Sequence, residues 1–178
     1  MGDSGGMASR IPERIGWAVE TLAVRPSDEL LEVGCGKGLA VSLIVPCLKS
    51  GRILAIDRSA TGIAVARKTG RDWETTGKAL FRHAALADLG SADGPFDKVF
   101  AINVNVFWTD PRAELPVVRK LLKKAGRLFL FYEPPAAIQR SRIADLVREK
   151  LAGSGLTVTK TVQKDEGAPL LSLTCGLS

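Results

Sequence analysis

The sequence is poor in the residues that most often carry metal, redox or disulfide chemistry. Its 178 residues include one histidine, His83, and three cysteines, Cys35, Cys47 and Cys175. An odd number of cysteines with no paired ligand spacing argues against both a disulfide framework and a zinc site. Free thiols and no metal are expected. No apolar run is long enough to cross a bilayer. Residues 1–7 lack the apolar stretch of a signal peptide, and Gly6 stands where a myristoylation signal wants Ser or Thr. The expected address is the cytoplasm, without membrane association. No P-loop pattern leads a glycine pair into Lys and then Ser or Thr, which leaves P-loop phosphoryl transfer without support. Internal repeats and linker-like composition are absent as well.

What remains is an ordinary globular composition, 46% hydrophobic and 25% charged, at a length suited to one domain with its own core. A single domain over residues 1–178 is expected, with the small, polar and glycine-rich residues 1–9 as a flexible leader. The formal charge of +6 favours an acidic substrate or a nucleic acid. No aromatic-rich basic strand accompanies it, so nucleic acid is not the expected partner.

The stretch Leu30-Leu31-Glu32-Val33-Gly34-Cys35-Gly36-Lys37-Gly38 joins a short apolar strand to a glycine turn and then to a helix. Glycines at alternate positions let a ligand approach bare backbone. Glu32 interrupts the strand, and a buried carboxylate there requires compensation. Upstream, Ile11, Ile15, Ala18 and Leu22 recur at helical spacing over residues 10–24, with Trp17 on that helix as either a core residue or a ligand cover. Downstream, a helix over 38–49, with Leu39, Leu43, Ile44 and Cys47 inward, is shortened by Pro46. A second parallel strand over 52–57 ends on Asp57. That acid lies about twenty residues past the turn, the interval at which nucleoside-binding folds place a carboxylate for ribose hydroxyls. Its alternative reading is an N-cap for the next helix.

The alternation continues with a helix over 59–76, weakened by Gly62 and Gly70, and strands over 78–83, 96–103 and 127–132. A helix over 111–124 carries Lys120, Lys123 and Lys124 as a solvated face. The fourth strand runs out into Asn103-Val104-Asn105-Val106-Phe107-Trp108, polar and then aromatic, which suits a ligand rim at the carboxyl ends of parallel strands. A helix over 138–151 precedes strands over 156–162 and 169–175, which read as an antiparallel hairpin.

With strand and helix alternating before a hairpin, the chain resembles the class I S-adenosylmethionine-dependent methyltransferases. The stretch from Glu32 to Gly38 is similar to that family's first motif, and Asp57 to its second-strand acid. Phe96-Asp97-Lys98-Val99 resembles the entry to its fourth strand, and Ala125-Gly126-Arg127-Leu128 the turn into its fifth. Position 39 is Leu, so the third glycine of the dinucleotide fingerprint is missing and a nicotinamide oxidoreductase is disfavoured.

The resemblance implies an α/β fold, a three-layer Rossmann-like sandwich whose mostly parallel seven-stranded sheet ends in an antiparallel hairpin. It implies S-adenosylmethionine as cofactor and S-adenosylhomocysteine as product. The backbone from Gly34 through Cys35 to Gly36 would face the methionine end, with Glu32 helping to hold its amino group or the loop itself and Gly38 also among the cofactor-binding residues; Asp57 would accept the ribose hydroxyls, and Arg58 would flank the adenine. Ala85 stands where many members carry an adenine-binding acid, leaving that ring to backbone at Ala85 and Leu86. Asn103 would contact cofactor or acceptor. It is followed by Val-Asn-Val and not by Pro-Pro-aromatic, which disfavours methylation of DNA adenine or of glutamine side chains.

The leading expectation is a methyltransferase for a small-molecule acceptor, its pocket walled by Trp17, Trp108 and Tyr132 and completed by the N-terminal helix or by a second subunit of a homo-oligomer. The alternatives are a non-catalytic S-adenosylmethionine-binding partner or regulatory module, and an RNA methyltransferase using the basic surface. The sulfonium methyl is already activated, so alignment and exclusion of water can carry the transfer. Where the acceptor must lose a proton, Glu133 and His83 are the candidate bases.

Overall fold

The computed structural model describes residues 11–178. The expected leader over 1–9, and the expected start of the first helix at Arg10, lie outside the described residues. The elements are α1 (Glu13–Leu22), β1 (Glu29–Val33), α2 (Leu39–Ile44), β2 (Arg52–Asp57), α3 (Ala60–Thr69), α4 (Arg71–Thr75) and β3 (Ala79–His83). They continue with β4 (Phe96–Ile102), α5 (Val106–Thr109), α6 (Glu114–Leu121), β5 (Leu122–Tyr132), α7 (Gln139–Leu151), β6 (Leu156–Lys164) and β7 (Leu170–Leu177). Short 3-10 turns fall at Val45–Cys47, Leu86–Asp88 and Ser91–Asp93. No helix among the described residues is long and apolar enough to cross a membrane.

One seven-stranded sheet has the order β3-β2-β1-β4-β5-β7-β6. The first five strands in that order are parallel, whereas β7 runs antiparallel to both β5 and β6. This is the expected α/β architecture with its terminal hairpin. Alternation along each strand sends side chains to opposite faces. Leu31, Val33, Leu54, Ile56, Leu128 and Leu130 meet Phe107, Val118, Leu121 and Val147 of α5, α6 and α7. Leu30, Ile53, Ala55, Phe100, Phe129 and Phe131 meet Ala18 and Leu22 of α1, Val41 and Ile44 of α2, and Ile63 and Ala66 of α3. Glu32, between Leu31 and Val33, therefore points to the α1 side. The chain builds outward from β1 in one direction to β3, then returns to its other side with β4. That reversal opens a crevice beyond the carboxyl ends of β1 and β4.

Three local expectations change. In α2 the core positions are Ala40, Val41 and Ile44, while Leu39 and Leu43 are half-buried and Cys47 is exposed. The phase of this helix is set by Gly38, its left-handed N-cap at φ 80°, and Pro46 turns its end into a 3-10 turn. The helix expected over 59–76 breaks at Gly70, where a Cβ would stand 2.6 Å from the Phe81 ring. The helix expected to reach residue 124 stops at Leu121. Leu122 instead pairs with Phe96 in the sheet, and Lys123 Nζ donates to Asp97 Oδ2 at 2.6 Å, so Lys123 belongs to a strand contact and not to a helix face.

Candidate functional site

The glycine turn after β1 consumes four of its own donors. The amides of Gly34 and Cys35 both donate to the Ile56 carbonyl, at 2.8 and 3.0 Å. The Gly36 amide donates to Asp57 Oδ2 at 2.7 Å, and the Gly38 amide to the Cys35 carbonyl at 2.9 Å. A phosphate cradle needs such amides free, and in this turn those four are not. It offers bare backbone. Gly34 has φ +77°, and a Cβ there would lie 2.6 Å from Val104 Cγ2, whereas nothing lies within 4 Å of one built on Gly36. Gly38 serves packing, since its Cβ would stand 3.1 Å from Phe81 Cε1 and 3.3 Å from Ala66 Cβ.

Two carboxylates flank this turn. Glu32 is 3% exposed and its Oε2 has no hydrogen-bond partner. Burial, and secondarily the charge of Asp57, pushes its carboxyl up to about 8. Asp57 also accepts from the Ser59 amide at 2.7 Å through Oδ1. The helix cap itself is Ser59, whose Oγ accepts from the Gly62 amide at 3.0 Å. Each Asp57 oxygen keeps a further lone pair for a ligand. The Cys35 thiol is buried in the α1-side core, and burial together with the charges of Glu32 and Asp57 pushes its pKa far up, so it stays neutral.

Two clefts open along the carboxyl ends of the strands. The smaller, of about 170 Å³, gathers Gly34, Asp57, Arg58, Ala85 and Leu86, and is closed from the other side by Val104, Val106 and Glu114. The Ala85 amide donates to Asp88 Oδ2 at 3.0 Å, so that donor is already in use. Glu114 was not legible as a site residue. Its Oε2 is buried without a partner, and its one sequence signal is an acid in the first turn of a helix, a placement that ordinarily serves the helix dipole.

The larger cleft, of about 560 Å³, is lined by Asn103, Asn105, Trp108, Tyr132 and Glu133, and by Gln139, Arg142, Ile143 and Leu146 around α7. Asn103 adopts a left-handed φ of 56°, and its Oδ1 accepts from the Glu133 amide at 2.7 Å, joining the ends of β4 and β5. Tyr132 is buried, its hydroxyl donates to the Val104 carbonyl at 3.4 Å, and burial raises its pKa. The Trp108 Nε1 is buried without an acceptor. Glu133 Oε2 accepts from Arg14 Nη1 of α1 at 3.0 Å, so this candidate base already sits in an ion pair.

Two expected residues fall elsewhere. Trp17 lines neither cleft; it packs edge-on against Phe131, with ring centroids 5.9 Å apart at 81°, in the α1-side core. His83 ends the edge strand β3, exposed, with Nε2 3.1 Å from the Arg58 carbonyl oxygen. With neighbouring strands about 4.8 Å apart, it lies about 19 Å from β5, too far to act as a base in the larger cleft.

Fold and clefts together define an open α/β sheet protein whose clefts lie at the carboxyl ends of the strands, around the topological switch point. The chain belongs to the methyltransferase domain family, whose sequence profile matches residues 31–130. An O-methyltransferase of Pyrenophora dematioidea is 35% identical over 103 residues, 58% of this chain and 38% of that protein. The O-methyltransferase cnsE of Penicillium expansum is 27% identical over 109 residues, 61% of this chain and 39% of that one. The chain thus matches well under half the length of these two relatives. Magnesium protoporphyrin IX methyltransferase (ChlM) from Synechocystis PCC 6803, solved with bound SAH, shares the fold at a TM-score of 0.67 and 17% identity, covering 92% of this chain and 80% of that one. A SAM-dependent methyltransferase from Aquifex aeolicus does so at 0.71 and 14%, covering 92% and 89%. The cyclase SpnF superposes at 0.73 and 16%, covering 92% and 80%.

Proposed function

We propose that the chain is an S-adenosylmethionine-dependent methyltransferase acting on a small-molecule acceptor by direct methyl transfer. The observation that carries this reading is the carboxylate pair around the glycine turn. The amides of Gly34, Cys35, Gly36 and Gly38 are spent, Asp57 retains free lone pairs, and Glu32 has a buried oxygen that lacks a donor. Such a set does not suit a phosphate. It suits a nucleoside ribose joined to a cationic amino acid, which supplies hydroxyls to one acid and an ammonium to the other.

When bound, S-adenosylmethionine would supply a methyl group already activated by its positive sulfur. In this reading Glu32 holds the amino group and the bare backbone from Gly34 to Gly36 lies along the methionine part. Asp57 accepts the ribose hydroxyls, while Arg58 and Leu86 flank the base. Trp108 and Tyr132, with Ile143 and Leu146, orient the acceptor and keep water out, which is the main work such a transfer asks of a protein. Glu133 is the candidate to take a proton from an acceptor that must lose one, with Arg14 holding its carboxylate in place.

A small-molecule acceptor is supported by the larger cleft, whose volume of about 560 Å³ falls within the range of about 300–1,000 Å³ usual for small-ligand sites. The names of the fungal O-methyltransferase relatives point the same way. Three unpaired cysteines support a reducing, cytoplasmic setting. The testing experiment is incubation of the protein with cell extract and S-adenosylmethionine carrying an isotopically labelled methyl group, followed by untargeted mass spectrometry. A labelled small molecule is expected. Saturable cofactor binding with no labelled product from any extract would favour the non-catalytic module, and labelled RNA would favour a nucleic-acid acceptor.

A further inference from the structure

We infer that Glu114 recognises the exocyclic amino group of the cofactor's adenine, from α6, and thereby sets the base specificity of the smaller cleft; this rests on the cofactor reading above. Among the described residues, four buried side-chain polar atoms have no partner: Glu32 Oε2, Trp108 Nε1, Glu114 Oε2 and Ser172 Oγ. Leaving such an atom unpaired is costly, most of all on a carboxylate, so a donor is missing from beside Glu114.

The surroundings of Glu114 say what kind of donor fits. Ile56, Ala85, Leu86, Val104 and Val106 give the cleft apolar walls, as the faces of an aromatic base require. Asp57, the other carboxylate lining it, accepts from the amides of Gly36 and Ser59, and its remaining lone pairs go to the ribose in the cofactor reading. The Ala85 amide is committed to Asp88. Ala85 therefore offers neither a side chain nor a free amide to read the edge of a base. Glu114 is held where it can. The helix α6 contacts the turn at Leu86–Asp88, and Leu115, Val118 and Leu121 lock it onto the sheet. An ionised carboxylate only accepts hydrogen bonds, and an aminopurine presents N–H donors where a purine without the amino group presents none. A site built to bond a polar group rejects the analogue that lacks it, because its own buried atom is then left unpaired.

The test is calorimetric titration with S-adenosylhomocysteine and with its 6-deamino analogue, which differ in that single amino group. Wild type is expected to prefer the amino compound by about 10- to 100-fold. In Glu114→Ala the preference should collapse to within about threefold, with a cooperative thermal melt certifying that the variant is folded. Glu114→Gln keeps the volume and replaces a charge-assisted bond with a neutral one, so its preference should fall several-fold. A wild-type preference retained in either folded variant overturns the assignment, as does equal binding of both compounds by wild type. Failure of wild type to bind either compound overturns the cofactor reading itself, and the assignment with it.

Discussion

The Gly36 amide donates to Asp57 Oδ2 at 2.7 Å, a contact across 21 residues that ties the glycine turn after β1 to the acid ending β2. Asp57 thus shapes the turn as well as facing the cleft. Replacing it with Ala should weaken S-adenosylhomocysteine binding by about 1.5–3 kcal/mol, through lost charge-assisted bonds to ribose and a loosened turn. Titration calorimetry reads the first effect and amide exchange at Gly36 the second. Faster exchange with unchanged affinity would leave Asp57 a purely structural acid.

Gly34→Ala is expected to abolish tight binding and to destabilise the fold. The new Cβ would meet Val104 Cγ2 at 2.6 Å, on backbone held at φ +77°. Adding Val104→Ala removes the collision but leaves the left-handed strain, which costs about 1–2 kcal/mol. Thermal melts of the single and double variants should therefore show partial recovery. Full recovery would mean that the backbone conformation costs nothing there.

Much of this was legible in the sequence, and the reason is locality. Strand alternation and the glycine and proline punctuation are short-range signals, so the seven strands and their order of appearance could be read directly. The pairing of Gly36 with Asp57 was half legible, since both residues stand in local motifs whose spacing is diagnostic. Misreadings came where a distant partner decides. Leu122 continues a helical apolar pattern, and only its pairing with Phe96 makes it strand. Trp17 fits a core or a cover equally well along its helix, and Phe131, over a hundred residues away, selects the core. Glu114 gains its meaning from the packing of α6 on the turn after β3, which no local pattern announces.

Glu32 carries a pH signature. Its folded-state value of about 8 lies above the ordinary 4.5, through burial first and the Asp57 charge second, so folding favours the protonated acid. The stability this contributes is complete below about pH 4.5 and is lost as the pH rises through about 8. Glu32→Gln stays neutral throughout. Its melting temperature should gain on wild type between about pH 5 and about pH 8 and then level off. A constant difference across that range would mean that the buried acid does not change charge there. In wild type at about pH 7, an ammonium arriving beside Glu32 should expel its proton, seen as buffer-dependent heats in calorimetry that vanish in Glu32→Gln.

At the opposite end of the sheet, Lys98 Nζ lies 2.5 Å from Asp28 Oδ2, with side chains 13% and 6% exposed. Lys98 also donates to the Ala23 carbonyl at 2.9 Å, and the Arg25 amide donates to Asp28 at 2.7 Å. Lys98→Ala strands a buried carboxylate and should cost about 3–5 kcal/mol in urea unfolding. Asp28→Asn/Lys98→Met, which removes both charges, should recover most of that loss. Because the pair is remote from both clefts, cofactor affinity should not change in the folded variants.

In the proposed function, the turn from Gly34 to Gly36, with Glu32 and Asp57, holds S-adenosylmethionine. Calorimetric titration of the wild-type chain with S-adenosylmethionine and with S-adenosylhomocysteine decides it. Saturable one-to-one binding of both, weakened in Asp57→Ala, is the predicted result; no saturable binding of either by folded wild-type protein would contradict it.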